Sequence, residues 1–260
     1  MLIENPGGNY RFLKGISPYS SGVVAAPGYE IVHVTLDAPL VFQSGFRLIA
    51  RHLAGIGRPL QALCGVELRS PCPFSFEGFD EFNTGYRAVL ADAGILVEDP
   101  RQGMDGLNPV ARTNVAPDIH PPAEPSLYAF SYTVPGPESD ARPTFVVAGA
   151  GELLEGRLDP QAIVRPGDVS ADAIREKAAY VMQCMTARLR GLGVGWDQVS
   201  SVSIYTVHDI FPFLQHEILP GLGSAGWHGV RWHYARPPIV GVEYEMDVRG
   251  VGTEFHLPAE

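Results

Sequence analysis

Lysine is nearly absent from this chain: of 19 Lys and Arg side chains, only Lys14 and Lys177 are lysine. Charge of any kind is thin, at 18% of residues, and the net charge of −10 tips it toward acid. Such a balance offers no broad basic face to phosphate backbones, so nucleic acid is not expected as a partner. Cysteine is equally scarce. Cys64, Cys72 and Cys184 lack C-x-x-C or C-x-x-H spacing, which fits neither a disulfide framework nor a zinc site. No run approaches the roughly 18–20 apolar residues of a membrane span, so no membrane partner is expected. The opening "MLIENPGGNY" has no basic segment leading into an apolar run. No secretory signal is therefore expected, and a cytoplasmic location is the default.

What is present is core-forming material. Of 260 residues, 45% are hydrophobic, and the 29 Gly and 23 Pro predict many turns. Two explanations of the arginine excess stay open, codon preference and the binding of an anionic substrate by planar guanidinium forks. Short strands are expected at residues 23–26 and 29–36, hinged by a tight reversal at Gly28. Phe46, Ile49, Leu53 and Ile56 then give a helical stripe over about 42–55. A strand follows at 60–69, then the helix "FDEFNTGYRAVLADAG", with Phe79, Phe82, Tyr86, Val89 and Leu90 on one face and Gly94 as its stop. "ARTNVAP" and a strand at 127–134 complete this half. The segment "PGPESDARP" (135–143) reads as a linker.

Beyond it the order restarts. "TFVVAGAGEL" reads as a strand, and "SADAIREKAAYVMQCMTARLRGLG" as a long helix capped by Ser170. A strand is expected at 199–207. "FPFLQHEIL" reads as a short helix ended by Pro220, and 239–248 as the last strand. Each half thus predicts strands and helices in the same order, a repeat of about 120 residues. The fold class expected is α+β, with helices on one face of each sheet. Arg112 precedes Glu124 by 12 positions, and Arg231 precedes Glu243 by the same number.

"SPYSSGVVA", "FDEFNTGY" and "NPVART" occur in that order. They resemble the Pro-Tyr-Ser segment, the Asn-containing helix and the Ala-Arg-Thr segment of the reactive-intermediate (imine/enamine) deaminases, the Rid or YjgF-like family. The likeness covers residues 16–132. The second half is similar more loosely, through "FVVAGAGEL" and "GVRWHYARPP…VGVEYEMDV". The resemblance implies two tandem chorismate-mutase-like domains, 1–136 and 143–260, trimeric assembly or a multiple of three, and clefts between neighbouring domains. The tandem length is similar to the 2-aminomuconate and 2-amino-5-chloromuconate deaminases.

That likeness implies a cofactor-free hydrolysis of an enamine or imine carboxylate, releasing ammonia and an oxo-acid. Arg112 would grip the substrate carboxylate through a charge-assisted fork. By the same resemblance, Tyr19 and Asn83 line the cleft. Glu124 and Glu243 are the candidate general acid/base residues, Arg231 or Arg69 the candidate second anchor for a dicarboxylate, and His233 a further substrate contact. The sequence departs from the family pattern in each half. The strand "LYAFSYTV" carries no acid, and "FPFLQHEIL" replaces the Asn helix, although Glu243 and Glu245 fall on the second half's final strand. The halves are therefore expected to complement one another, Arg112, Asn83 and Tyr19 meeting an acid from a second-half domain. The rival reading is a non-catalytic carboxylate-binding oligomer on the same fold. The eight His form no recognisable metal set, so no metal is expected. "GAGELLEG" and "GLGVG" read as turns rather than nucleotide loops.

Overall fold

A computed structural model describes residues 2–99, 103–136 and 142–259. The chain opens with β1 (Leu2–Asn5), β2 (Tyr10–Leu13), β3 (Gly22–Ala25) and β4 (Tyr29–Val41), which runs into α1 (Phe42–Gly55). Next come β5 (Leu63–Arg69), α2 (Phe76–Asp92), β6 (Val97–Asp99), β7 (Gly103–Leu107), β8 (Ala111–Pro117) and β9 (Ser126–Pro135). After β10 (Phe145–Gly151), α3 (Ala171–Leu192) leads to β11 (Ser201–Tyr205) and a short α/π-helical segment at 211–222. β12 (Arg231–His233), β13 (Ala235–Arg236), β14 (Glu245–Gly250) and β15 (Thr253–Leu257) follow. The fold is α+β, as expected.

The strands form two mixed sheets, ordered β1-β2-β3-β10-β14-β11-β12 and β13-β8-β5-β9-β4-β15, plus the separate pair β6-β7. Helices cover one face of each. Phe42, Phe46, Ile49 and Leu53 of α1 and Tyr86 and Leu90 of α2 pack on Val32, Val34, Val66 and Phe130 of the six-stranded sheet. Ile174, Val181, Met185 and Leu189 of α3 cover Val147, Val202, Met246 and Val248 of the seven-stranded sheet. These spacings of three, four and seven are the apolar stripe that a helix must bury. α3 ends as its sequence dictates: Ser170 caps its start, and Gly193 leaves it with φ of 78°.

The helix-free faces meet through Tyr10, Phe12, Val23, Ile31, Cys64, Ala111 and Ala148. Beside this apolar patch lies a polar seam set by the two-residue period of β14. Tyr244, Met246 and Val248 join the α3 side of the core. Asp247 instead accepts hydrogen bonds from Thr113 of the other sheet and from Tyr205, each at 2.8 Å. Arg249 lies 3.5 Å from Glu67, which also pairs with Arg69 at 3.3 Å and His33 at 3.6 Å. Burial pushes the Glu67 carboxyl up, but His33, Arg69 and Arg249 together overcome it and hold it near about 2. Asp247 goes the other way, to about 6, through burial and the Glu67 charge.

Several expectations need correction. Gly28 does adopt a left-handed φ of 79°, but β3 and β4 do not pair as neighbours; the turn carries the chain from one sheet into the other. Residues 60–62 form a 3₁₀ turn before β5, and α2 begins earlier, capped by Ser75. Pro220 sits in the first turn of a helix that continues to Leu222, where a missing N–H costs nothing. The final strands are Glu245–Gly250 and Thr253–Leu257 rather than 239–248. Most of the "PGPESDARP" linker lies outside the described residues. Segments 1–136 and 143–260 each supply strands to both sheets: β1–β3 join β10, while β13 and β15 flank the sheet built on β4, β5, β8 and β9. Among the described residues no helix is long and apolar enough to cross a membrane.

One buried ion pair ties α3 to the start of β14. Lys177 Nζ lies 2.9 Å from Glu152 Oε1, and both side chains are fully buried. The Glu152 carboxylate also accepts the backbone N–H groups of Glu243 and Tyr244, at 2.7 and 3.0 Å. Lys177→Met is expected to cost about 3–5 kcal/mol, because it strands a charge in the core. Burial already raises the Glu152 carboxyl, and losing Lys177 raises it further. A carboxyl raised on folding favours the fold only at low pH and penalises it as pH climbs. Urea unfolding should therefore show a larger loss at pH 8 than at pH 5.

Candidate active site

Arg112 is the second residue of β8, and its side chain is buried, at 2% exposure. Because strand neighbours alternate, Thr113 reaches the inter-sheet seam while Arg112 turns toward α2. The helix presents Phe79, Phe82, Asn83 and Tyr86 on one face, spaced at three, four and seven residues. The guanidinium carbon lies 4.7 Å from the Tyr86 ring centre, 5.4 Å from Phe79 and 5.7 Å from Phe82. Tyr19 closes the box at 4.9 Å. Cation–π attraction offsets part of the lost hydration, and Nη2 donates to Asn83 Oδ1 at 2.7 Å. Burial pulls the Arg112 pKa down, opposed by Tyr86, Tyr19 and Glu245.

The loop carrying Tyr19 is pinned by its backbone. Asn108 donates to the Pro18 carbonyl at 2.6 Å, Arg87 donates to the Ser17 carbonyl, and Ser20 donates to the Pro109 carbonyl at 3.0 Å. The Ser and Pro density at residues 17–21 therefore serves to hold one aromatic ring over one cation. Tyr19 stays a neutral hydroxyl, since burial raises its pKa against the opposing Arg112 charge.

A cavity of about 40 Å³ opens beside Arg112, lined by Tyr19, Phe79, Asn114, Gly149, Val242 and Glu245 among others. Arg112 Nη1 and Asn114 Nδ2, on two of its lining residues, are buried without hydrogen-bond partners, as is Asn83 Nδ2 beside the guanidinium. Buried donors left unmet are costly, and their concentration marks a place built for an incoming acceptor. The acid of the chamber is Glu245. Burial raises its carboxyl well above the ordinary range, and Asp247 adds to the rise. No described protein donor hydrogen-bonds that carboxyl. Its room comes from Gly149, in the bulge of β10, where an added Cβ would stand 2.1 Å from Glu245 Oε1.

Beside the chamber lies a vestibule of about 160 Å³ that shares Tyr19, Gly149, Gly151, Leu153 and Leu158 with it and adds Lys14, Glu155, Arg157 and Arg188. A larger cavity, about 400 Å³, lies across the residue 15–17 loop, and among the described residues neither Arg112 nor a carboxylate lines it; the reactive groups place the site in the smaller chamber.

Arg112, Asn83 and Tyr19 lie together in the structure. The acids do not. Glu124 is exposed on the loop after β8; five residues of strand separate that loop from Arg112, about 17 Å of extended chain. Glu243 precedes β14 and pairs with His208 at 2.9 Å. Arg231 is exposed beside Glu254 at 3.4 Å, on the edge strand β12. His233 stacks on Tyr205 at 4.8 Å, where burial and Arg69 lower it to about 4. Arg69 is buried against Glu67 and the Tyr128 ring. "GAGELLEG" begins as strand and bulge and ends in a turn at Glu155 and Gly156, and Gly193 of "GLGVG" also turns. Asn108 and Gly149 escaped notice, although a glycine inside a strand signals close approach of another group.

Two outcomes follow. Glu245→Gln removes a carboxyl that the fold prefers protonated, so its stabilising effect should grow as pH rises and vanish near pH 4; denaturant midpoints at pH 4 and pH 8 check this. Gly149→Ala should cost about 1–3 kcal/mol by overpacking and displace Glu245, seen as lost turnover with the fold retained by circular dichroism.

The profile of the family described as "2-aminomuconate deaminase CnbZ" matches residues 2–255. The 2-amino-5-chloromuconate deaminase of Comamonas testosteroni is 41% identical over 257 residues, 98% of each chain. Among solved structures, a chorismatase shares 14% identity at a TM-score of 0.45, covering 89% of this chain and 77% of its own. A cyanuric acid hydrolase shares 11% at 0.40, covering 88% and 69%. The chain belongs to the CnbZ family of 2-aminomuconate deaminases.

Proposed function

We propose that this protein is a hydrolase that deaminates 2-aminomuconate or 2-amino-5-chloromuconate, with the Arg112–Glu245 chamber as its reaction site. The observation that carries the reading is a buried guanidinium with an unmet donor lining the same cavity as a carboxyl that burial raises well above its ordinary range. Membership of the family and the 41% identical relative supply the substrate class.

The chemistry follows from those two groups. Arg112 takes the carboxylate next to the amino-bearing carbon, and Asn83 fixes the guanidinium plane. Neutral Glu245 gives its proton to the enamine carbon, which moves the double bond to nitrogen and leaves an iminium ion. The new carboxylate takes a proton from water as the water oxygen bonds the iminium carbon. Glu245 then protonates nitrogen, ammonia leaves as the C=O forms, and the hydroxyl proton returns to Glu245. Enamine and water become oxo-acid and ammonia, and the residue ends as it began. A carboxyl with a raised pKa can act in both directions near neutral pH.

This reading extends to the finer relationships. The chain is a divergent tandem member of the reactive-intermediate deaminases, cytoplasmic and assembled as a trimer. The exposed Phe211, Trp227, Trp232 and Tyr234 beside the free edge of β12 support assembly, being a surface that water disfavours.

Ammonia release from freshly generated 2-aminomuconate tests the proposal. Turnover is expected in the intact protein. Glu245→Gln should lower kcat by about 10²–10⁴-fold, the usual worth of a general acid/base, and Arg112→Lys should raise KM. Binding without turnover in the intact protein would favour a carboxylate-binding role instead.

A further inference from the structure

A cavity of about 40 Å³ accepts a carboxylate and a water, but not the whole of a six-carbon dicarboxylate. The remainder of such a molecule must pass Tyr19 into the vestibule, where its second carboxylate needs a partner. Arg188, on the last turns of α3, lines that space and is mostly buried, its side chain 11% exposed. Its Nη1 donates to the carbonyls of Ala148 and Gly149, at 3.0 and 3.2 Å, which fixes the guanidinium beside the bulge that makes room for Glu245. Its outer edge, Nε and Nη2, is turned onto a single oxygen of Glu155, at 3.1 and 2.7 Å. Glu155 is half exposed, on the connection after β10. Lys14 and Arg157 line the same vestibule, and Glu155 is the one carboxylate among its lining residues; Arg157 itself is engaged by Asp159 outside it.

We propose that Arg188 is the anchor for the distal carboxylate of a dicarboxylate substrate, and that Glu155 occupies this anchor until the substrate displaces it. The inference rests on the reading of the chamber as the site for the proximal carboxylate. An arginine held on one edge by backbone carbonyls presents its other edge at a fixed angle, so exchanging one carboxylate for another needs no rearrangement of the cation.

Muconate and sorbate test this directly. They share one diene chain and differ by one carboxylate, and neither carries the amino group that would react. Calorimetric titration of the intact protein should show muconate binding about 10–100-fold tighter than sorbate, the worth of one charge-assisted contact. Arg188→Ala should collapse that ratio to within about twofold. Arg188→Lys, which keeps a charge and a donor, should preserve part of it. Glu155→Gln should tighten muconate several-fold and leave sorbate unchanged. An unaltered ratio in Arg188→Ala, an equal loss of both ligands, or no gain in Glu155→Gln would overturn the proposal. Ammonia release by the intact protein is read separately, so a failure of the deaminase reading and a failure of this anchor give different results.

Discussion

A guanidinium wrapped in aromatic rings, with no carboxylate among the described residues paired to it, is the arrangement around which this molecule is organised. Burying such a cation is expensive, and a neutralising ion pair would have been the cheaper solution. Here the compensation is spread over Tyr19, Phe79, Phe82 and Tyr86 and one hydrogen bond to Asn83. None of these cancels the charge, which stays available to an anion. The helix face of α2, the pinned loop before β3 and the turn at Asn108 all serve that enclosure.

The second constraint is the packing of two sheets on their helix-free faces. An apolar patch supplies most of the contact, yet β14 places alternating polar residues into the same layer. Asp247 and Arg249 find partners across it, in Thr113 and Glu67, and so set how the sheets sit on one another. Glu245, two positions earlier, has no such partner and stands at the mouth of the seam. The same strand period that builds the clasp therefore delivers an acid unpaired among the described residues beside Arg112. Lys177 and Glu152 hold the backbone just ahead of it.

Much of this was legible in the sequence where local periodicity governs. The face Phe79–Phe82–Asn83–Tyr86 follows from helix geometry, and the limits of α3 from Ser170 and Gly193. Arg112 stood out because three short segments around it occur in order. The acid was not legible, because it depends on which strands become neighbours. The 12-residue spacing from Arg112 to Glu124 recurs in the second half, but β8 carries Arg112 and that loop to opposite ends. Glu243 and Glu245 differ by two positions, and the strand starts at the second of them. Where a strand begins is set by the Glu152 carboxylate capping its approach, a contact that no local pattern records. Likewise the pairing of β3 with β10 rather than β4 is a long-range outcome, and Gly28 gives the same signal for either.

That pairing has a bearing on how the molecule comes into being. The first three strands find their sheet neighbour only when β10 has been made, and β4 keeps an open edge until β15, near the end of the described chain, lies along it. At ordinary translation rates the early strands wait on the order of 10 s for their partner. During that interval the nascent polypeptide displays unpaired, Val-rich edges of the kind that recruit other chains. Synthesis on crowded polysomes is thus the most exposed moment in the life of this protein, and its yield in a cell is governed by what shields those edges while the second half is still being translated.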